Sequence, residues 1–111
     1  MKDKILQIIN HYGIDKQLKY IHSEYFELDE TIIKYEDYAY ENYDYGIGKV
    51  EWGKWREHIA EEIADVMVML KQFQYYYGIE NKEIEEIMEY KINRQLERIE
   101  KEEGENNENN E

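Results

Sequence analysis

Residues 55–73 read Trp55-Arg56-Glu57-His58-Ile59-Ala60-Glu61-Glu62-Ile63-Ala64-Asp65-Val66-Met67-Val68-Met69-Leu70-Lys71-Gln72-Phe73, and this stretch decides the fold. On a helical wheel of about 100° per residue, Trp55, Ile59, Ile63, Val66, Leu70 and Phe73 share one arc. Met67, Val68 and Met69 add apolar surface on the other sides, so the helix is apolar nearly all round at that level. A helix of that kind is covered on several sides. The pattern predicts a helix from about Glu51 or Trp52 to about Tyr77, ended by Gly78. Its longest apolar run, Val66 to Leu70, is far shorter than the roughly 20 residues of a membrane span. No membrane partner is expected.

Working outward, a first helix is predicted over about Asp3 to Tyr12, with Ile5, Ile8 and Ile9 on one side and Gly13 as its stop. Asp15 is the expected N-cap of a second helix running to about Lys34, with Leu18, Ile21, Tyr25, Leu28 and Ile32 at helical spacing. Residues 35–50 alternate tyrosines with acids and close on two glycines; they read as a loop with room for a helical start. Beyond Gly78, Asn81 is the expected cap of a fourth helix. Glu83, Glu85 and Glu86 stand in its first turns, where the helix dipole favours them, and Ile84, Ile87, Tyr90, Leu96 and Ile99 carry it to about Lys101. Residues 102–111 have nothing to bury and are expected to be disordered. The reading is all-α: one domain over residues 1–101, a bundle of four to five helices.

Composition agrees and excludes several classes of function. Among 111 residues there is no proline, which favours long helices with few turns, and no cysteine, which excludes disulfides, thiolate metal sites and a cysteine nucleophile. With no signal segment predicted either, a cytoplasmic location is expected. The net charge of −13 repels a nucleic-acid backbone, so no polymeric nucleic acid is expected as partner. An anionic small substrate remains compatible when a divalent cation bridges it to the protein.

Two carboxylate pairs could hold such a cation. Glu24 lies at the edge of the second helix's apolar arc with Glu27 one turn on and a little further round; on the third helix Glu62 falls inside the edge of the arc with Asp65 beside it. Glu-x-x-Glu alone is an ordinary solvated pattern in an acidic helical protein. The place of Glu62 among apolar neighbours is what favours a metal, because buried acids need a partner. Oxygen donors suit Mg²⁺, or Mn²⁺. Three scattered histidines do not make a zinc cluster, and the Glu-x-x-His repeat of di-iron bundles is absent.

The segment Gly13-Ile14-Asp15-Lys16-Gln17-Leu18-Lys19-Tyr20-Ile21-His22-Ser23-Glu24-Tyr25-Phe26-Glu27-Leu28, followed by Glu61-Glu62-Ile63-Ala64-Asp65-Val66, resembles the MazG-like family of all-α nucleoside triphosphate pyrophosphohydrolases. That family carries Glu-x-x-Glu on one helix and Glu-x-x-Asp on the next. The resemblance implies cleavage of a nucleoside triphosphate between its α and β phosphates, with Glu24, Glu27, Glu62 and Asp65 holding Mg²⁺. It leaves Glu27 or Glu61 as acceptor of the water's proton. It assigns phosphate contacts to Lys91, Asn93 and Arg94, with Gln17 and Lys19 as weaker candidates. It also implies a homodimer or homotetramer that completes the bundle, which the all-round apolar third helix supports independently. Two features depart from the family pattern: a longer, tyrosine-rich loop between the pairs, and Ser23 where many relatives carry a glutamate.

Tyr38 and Trp52 are candidates to stack on a base, although most of the aromatic residues near the loop are expected in structure or an interface. His58, one turn before Glu62, lies beside the carboxylates or at the surface. Two other readings remain open: an acidic helical protein that binds a nucleotide or partner without turnover, and, on the same fold, phosphoribosyl-ATP hydrolysis.

Overall fold

The computed structural model describes residues 1–109, and among them every element is helical: α1 (Lys2–Tyr12), α2 (Ile14–Glu41), α3 (Lys49–Tyr76) and α4 (Asn81–Asn109). The chain divides into one unit of residues 1–77, holding α1 to α3, and a second from Gly78 onward, holding α4.

In the first unit, α2 and α3 form an antiparallel hairpin, and the register is legible from its ends. Gln17, near the start of α2, bonds Gln72, near the end of α3. Tyr35 and Tyr38, late in α2, stack at 5.7 and 5.6 Å on Trp55, early in α3. The inward line of α2 is Gln17, Ile21, Glu24, Leu28, Thr31, Tyr35 and Tyr38, all buried or half-buried. The facing line of α3 is Trp55, Ile59, Glu62, Val66, Met69 and Phe73. Both lines alternate steps of four and three residues, the spacing of a left-handed helix pair. α1 packs on both helices through Ile5 and Ile9. A single residue joins α1 to α2: Gly13, at φ +87°, turns the chain where a side chain would be strained.

Four sequence expectations change. The arc Leu18, Tyr25 and Ile32, predicted to face inward, is 48 %, 63 % and 40 % exposed. The inward line lies one residue back and is polar at Gln17, Glu24 and Thr31. On α3 the same holds for Ile63 and Leu70, which are exposed while Glu62 and Met69 face α2. α2 also runs on to Glu41 through the predicted loop. Tyr35 and Tyr38 continue its three-and-four spacing, and no glycine breaks it before the turn at Gly46. Asn42 then ends it, its Nδ2 donating to the Tyr38 carbonyl at 2.8 Å. Finally, Asp15 is not the N-cap of α2, whose cap position is Gly13.

The second unit is one long helix. It begins at Asn81 itself, with the Ile84 N–H donating to the Glu80 carbonyl. Ile87, Met88, Ile92, Leu96 and Ile99 recur along it at helical spacing and are exposed. The helix continues to Asn109 through residues read from sequence as a disordered tail. No proline interrupts it, and a lone interior glycine such as Gly104 costs only about 1 kcal/mol relative to alanine. Residues 110–111 of that expected tail lie outside the described residues.

Candidate metal centre and adjoining cleft

Midway along the hairpin, the inward line of α2 presents Glu24 opposite Glu62 of α3, and Asp65 follows one turn later. One carboxylate oxygen from each of Glu24, Glu62 and Asp65 lies within 4.8 Å of the others. Glu24 is buried, Glu62 half-buried and Asp65 exposed, so the trio runs from the helix interface to the surface. Glu24 Oε2 and Glu62 Oε2 are wholly buried and have no hydrogen-bond partner. A buried carboxylate oxygen left without a partner is costly. Two such carboxylates beside a third suit a cation, since oxygen donors are what Mg²⁺ takes.

Neighbouring groups hold the trio in place. The Tyr20 phenol hydrogen-bonds Glu24; that bond, then the Glu24 charge, burial, and the charges of Glu27 and Asp65, push the phenol above its ordinary pKa. On the far side His58 Nε2 stands 3.7 Å from Glu62 Oε1, on the helix face one turn earlier.

The remaining predicted residues divide by place. Glu27 is exposed and outside the trio, but it borders a hollow that also reaches Glu62, His58 and Lys34. Glu61 is exposed and borders a shallower hollow with Lys54, Glu57 and His58. Lys19 is exposed. Lys91, Asn93 and Arg94 are exposed on α4, where the Arg94 guanidinium lies 6.0 Å from the Tyr90 ring. Tyr38 and Trp52 belong to a ring cluster at the turn end of the hairpin. Trp52 meets Tyr35 at 5.4 Å, and Tyr38 meets Trp55.

Gln17 does something the sequence did not indicate. Its Nε2 donates to Gln72 Oε1 at 2.8 Å across the seam, and Gln72 Nε2 in turn donates to the Met69 thioether at 3.5 Å. This pair forms part of a cleft of about 400 Å³ bounded by α1, α2 and α3, whose wall includes Glu24 and Asp65. Tyr12, Tyr20 and Lys16 stand around it. None of Tyr12, Lys16, Tyr20 or Gln72 was singled out from sequence. The signal was available only once α2 and α3 were set in register, because Gln17 and Gln72 are far apart in the chain and neither sits in a charged motif.

The pair makes a stability prediction. Gln17→Leu or Gln72→Leu alone strands a buried amide and is expected to cost about 1–3 kcal/mol. The double variant, leaving no orphan, is expected near wild type or above it. Urea unfolding of the four proteins measures this, and additive losses would contradict it.

No protein-family model, curated protein or solved structure matches this chain. The fold and the site define an all-helical protein with a three-carboxylate centre at a helix seam, beside an apolar cleft with an amide pair.

Proposed function

We propose that the chain is an Mg²⁺-dependent nucleoside triphosphate pyrophosphohydrolase, with Mn²⁺ as an alternative ion. It cleaves an NTP or dNTP between the α and β phosphates and releases the monophosphate and pyrophosphate. The observation that carries this is the pair of buried, unpartnered oxygens, Glu24 Oε2 and Glu62 Oε2, beside Asp65. The resemblance of the Glu24–Glu27 and Glu62–Asp65 segments to MazG-like enzymes names the reaction.

A cation held there would supply neutralisation of phosphate oxygens and a lowered pKa for an attacking water. Glu24, Glu62 and Asp65 are the residues that would hold the ion, each offering one carboxylate oxygen. Tyr20 fixes the Glu24 carboxylate through its hydrogen bond. Water oxygen bonds to the α-phosphorus, the bond from that phosphorus to the bridging oxygen breaks, and pyrophosphate leaves with the electron pair. The proton goes to a carboxylate; Glu27, which shares a hollow with Glu62, is better placed for this than Glu61. A homodimer or homotetramer covers the apolar side chains left exposed on α2 and α3, among them Leu18, Ile32, Ile63 and Leu70.

The test is incubation with Mg²⁺ and a panel of natural and modified nucleoside triphosphates, read as pyrophosphate release, alongside melting with and without Mg²⁺ or Mn²⁺. Release from at least one substrate, together with a metal-dependent rise in melting temperature, is the expected result. Silence in both measurements would overturn the proposal and leave a non-catalytic acidic protein.

A further inference from the structure

The cleft beside the carboxylates has a chemical character of its own. It is about 400 Å³, within the range of roughly 300–1,000 Å³ that small-molecule sites occupy. Its exposed lining is mostly apolar, from Ile8, Tyr12, Tyr20 and Val68, and its polar end is the Gln17–Gln72 pair. Glu24 and Asp65 belong to both the cleft wall and the trio. A ligand whose phosphates meet the trio therefore has the group attached to those phosphates at the mouth of this cleft.

Hydrogen-bond counting says what that group offers. Each glutamine amide has two N–H donors and one oxygen acceptor. Gln17 gives one N–H to Gln72 Oε1, and Gln72 gives one to the Met69 sulfur, a weak acceptor. Gln17 Oε1 and one N–H on each nitrogen remain to be used. A seam position filled by leucine would offer no such groups, whereas this amide pair presents hydrogen-bonding capacity at the cleft. An adjacent donor and acceptor on a planar group matches that capacity, and glutamine pairs with the edge of a nucleobase in that way. Tyr12 and Tyr20 supply aromatic faces for a flat ring. Lys16 holds its Nζ 5.1 Å from the Tyr12 ring, which puts a positive charge beside the cleft.

We infer that this cleft is the subsite for the heterocyclic base of the substrate, and that Gln17 and Gln72 are the specificity-determining residues that read its edge. The inference rests on the proposed nucleotide chemistry of the trio. It places the base away from Tyr38 and Trp52, which lie in the ring cluster at the opposite end of the hairpin.

Two measurements test it separately from turnover. In full-length protein labelled at glutamine side chains, with Gln17 and Gln72 assigned by substitution, the amide signals of both are followed by NMR as nucleoside monophosphates are added with Mg²⁺. They are expected to shift with a monophosphate bearing the preferred base and not with ribose 5-phosphate, which presents the same phosphate and no base. Absence of any shift with all the natural bases, or an equal shift with ribose 5-phosphate, would overturn the subsite. In the second, kcat/KM is compared across the bases for wild type and for the Gln17→Leu/Gln72→Leu double variant, which strands no buried amide. Discrimination between best and worst base is expected to fall by about tenfold to a hundredfold. A uniform drop in kcat with the ratios unchanged would overturn the specificity role. Shifted glutamine signals without pyrophosphate release from any triphosphate would sink the hydrolase and keep the base subsite.

Discussion

Glu62→Gln is expected to stabilise the metal-free protein while removing the proposed response to Mg²⁺ and nearly all of the proposed hydrolysis. The two effects have one origin. Glu62 Oε2 is buried without a partner, as is Glu24 Oε2, and the trio's carboxylate oxygens lie within 4.8 Å of one another. Two unit charges at that separation repel by about 3 kcal/mol at an effective dielectric constant near 20. His58 Nε2 stands 3.7 Å from Glu62 Oε1 and is largely exposed, so its contact with Glu62 is screened by solvent. A neutral carboxamide removes the repulsion and brings N–H donors toward the Glu24 oxygen. The expected gain is about 1–3 kcal/mol, several degrees in melting temperature for a unit of this size. The cost falls on function, as it does where an active site stores destabilising charge. On the proposed function, losing a ligand to the ion removes several kcal/mol of transition-state stabilisation, at least about a hundredfold in rate. The measurements are melting in a chelator, melting with Mg²⁺, and pyrophosphate release. A variant no more stable than wild type in chelator, yet still raised by Mg²⁺, would show that Glu62 is not a ligand.

The sequence carried the helices well and the seam poorly, for a physical reason. Glycines at 13 and 78 bound helices as expected, and Trp55, Ile59, Val66 and Phe73 turn inward as their spacing predicts. On α2, the choice of inward face assumed that the most apolar arc is buried. It fails because the positions seven apart that face α3 are Gln17, Glu24 and Thr31. Apolar periodicity cannot locate a seam whose recurring layer is polar. The error moved the face by one residue and left Leu18, Tyr25 and Ile32 outside. The same polar layer explains what was legible of the site. Glu24, Glu62 and Asp65 sit in recognisable pairs, so spacing and sequence context could single them out. Glu27 shares the motif but projects past the trio into the next hollow. Gln72 and Tyr20 act only through partners on another element or one turn away, and no local pattern marks such a residue. The run from Tyr35 to Glu41 misled for the opposite reason: alternation of tyrosine with acid hid a three-and-four spacing that keeps Tyr35 and Tyr38 in the seam.

Ile9→Ala is expected to give the largest loss of stability of any single apolar truncation in the first unit. Ile9 is 1 % exposed, the most enclosed apolar side chain there, and together with Ile5 it is what α1 buries. Deleting a buried isoleucine to alanine costs about 2–5 kcal/mol through lost transfer energy and the cavity left behind. Small domains have only about 5–15 kcal/mol in total, so this is a large share. The second anchor of α1 is Ile5, 7 % exposed, while Ile8 and Tyr12 are exposed toward the cleft side and the Lys2 ammonium lies 5.6 Å from the Tyr75 ring. A graded series sharpens the test. Ile9→Val should cost about 0.5–1.5 kcal/mol, and the two losses, read from urea midpoints at constant slope, should scale with the volume removed. The functional consequence separates the cleft from the carboxylates. α1 contributes Ile8 and Tyr12 to the cleft wall, whereas Glu24, Glu62 and Asp65 all lie on α2 and α3. Under conditions where the variant remains folded, a loosened α1 should weaken the proposed base discrimination more than the proposed Mg²⁺-induced rise in melting temperature. A loss below about 0.5 kcal/mol for Ile9→Ala would mean that α1 is not docked through this side chain.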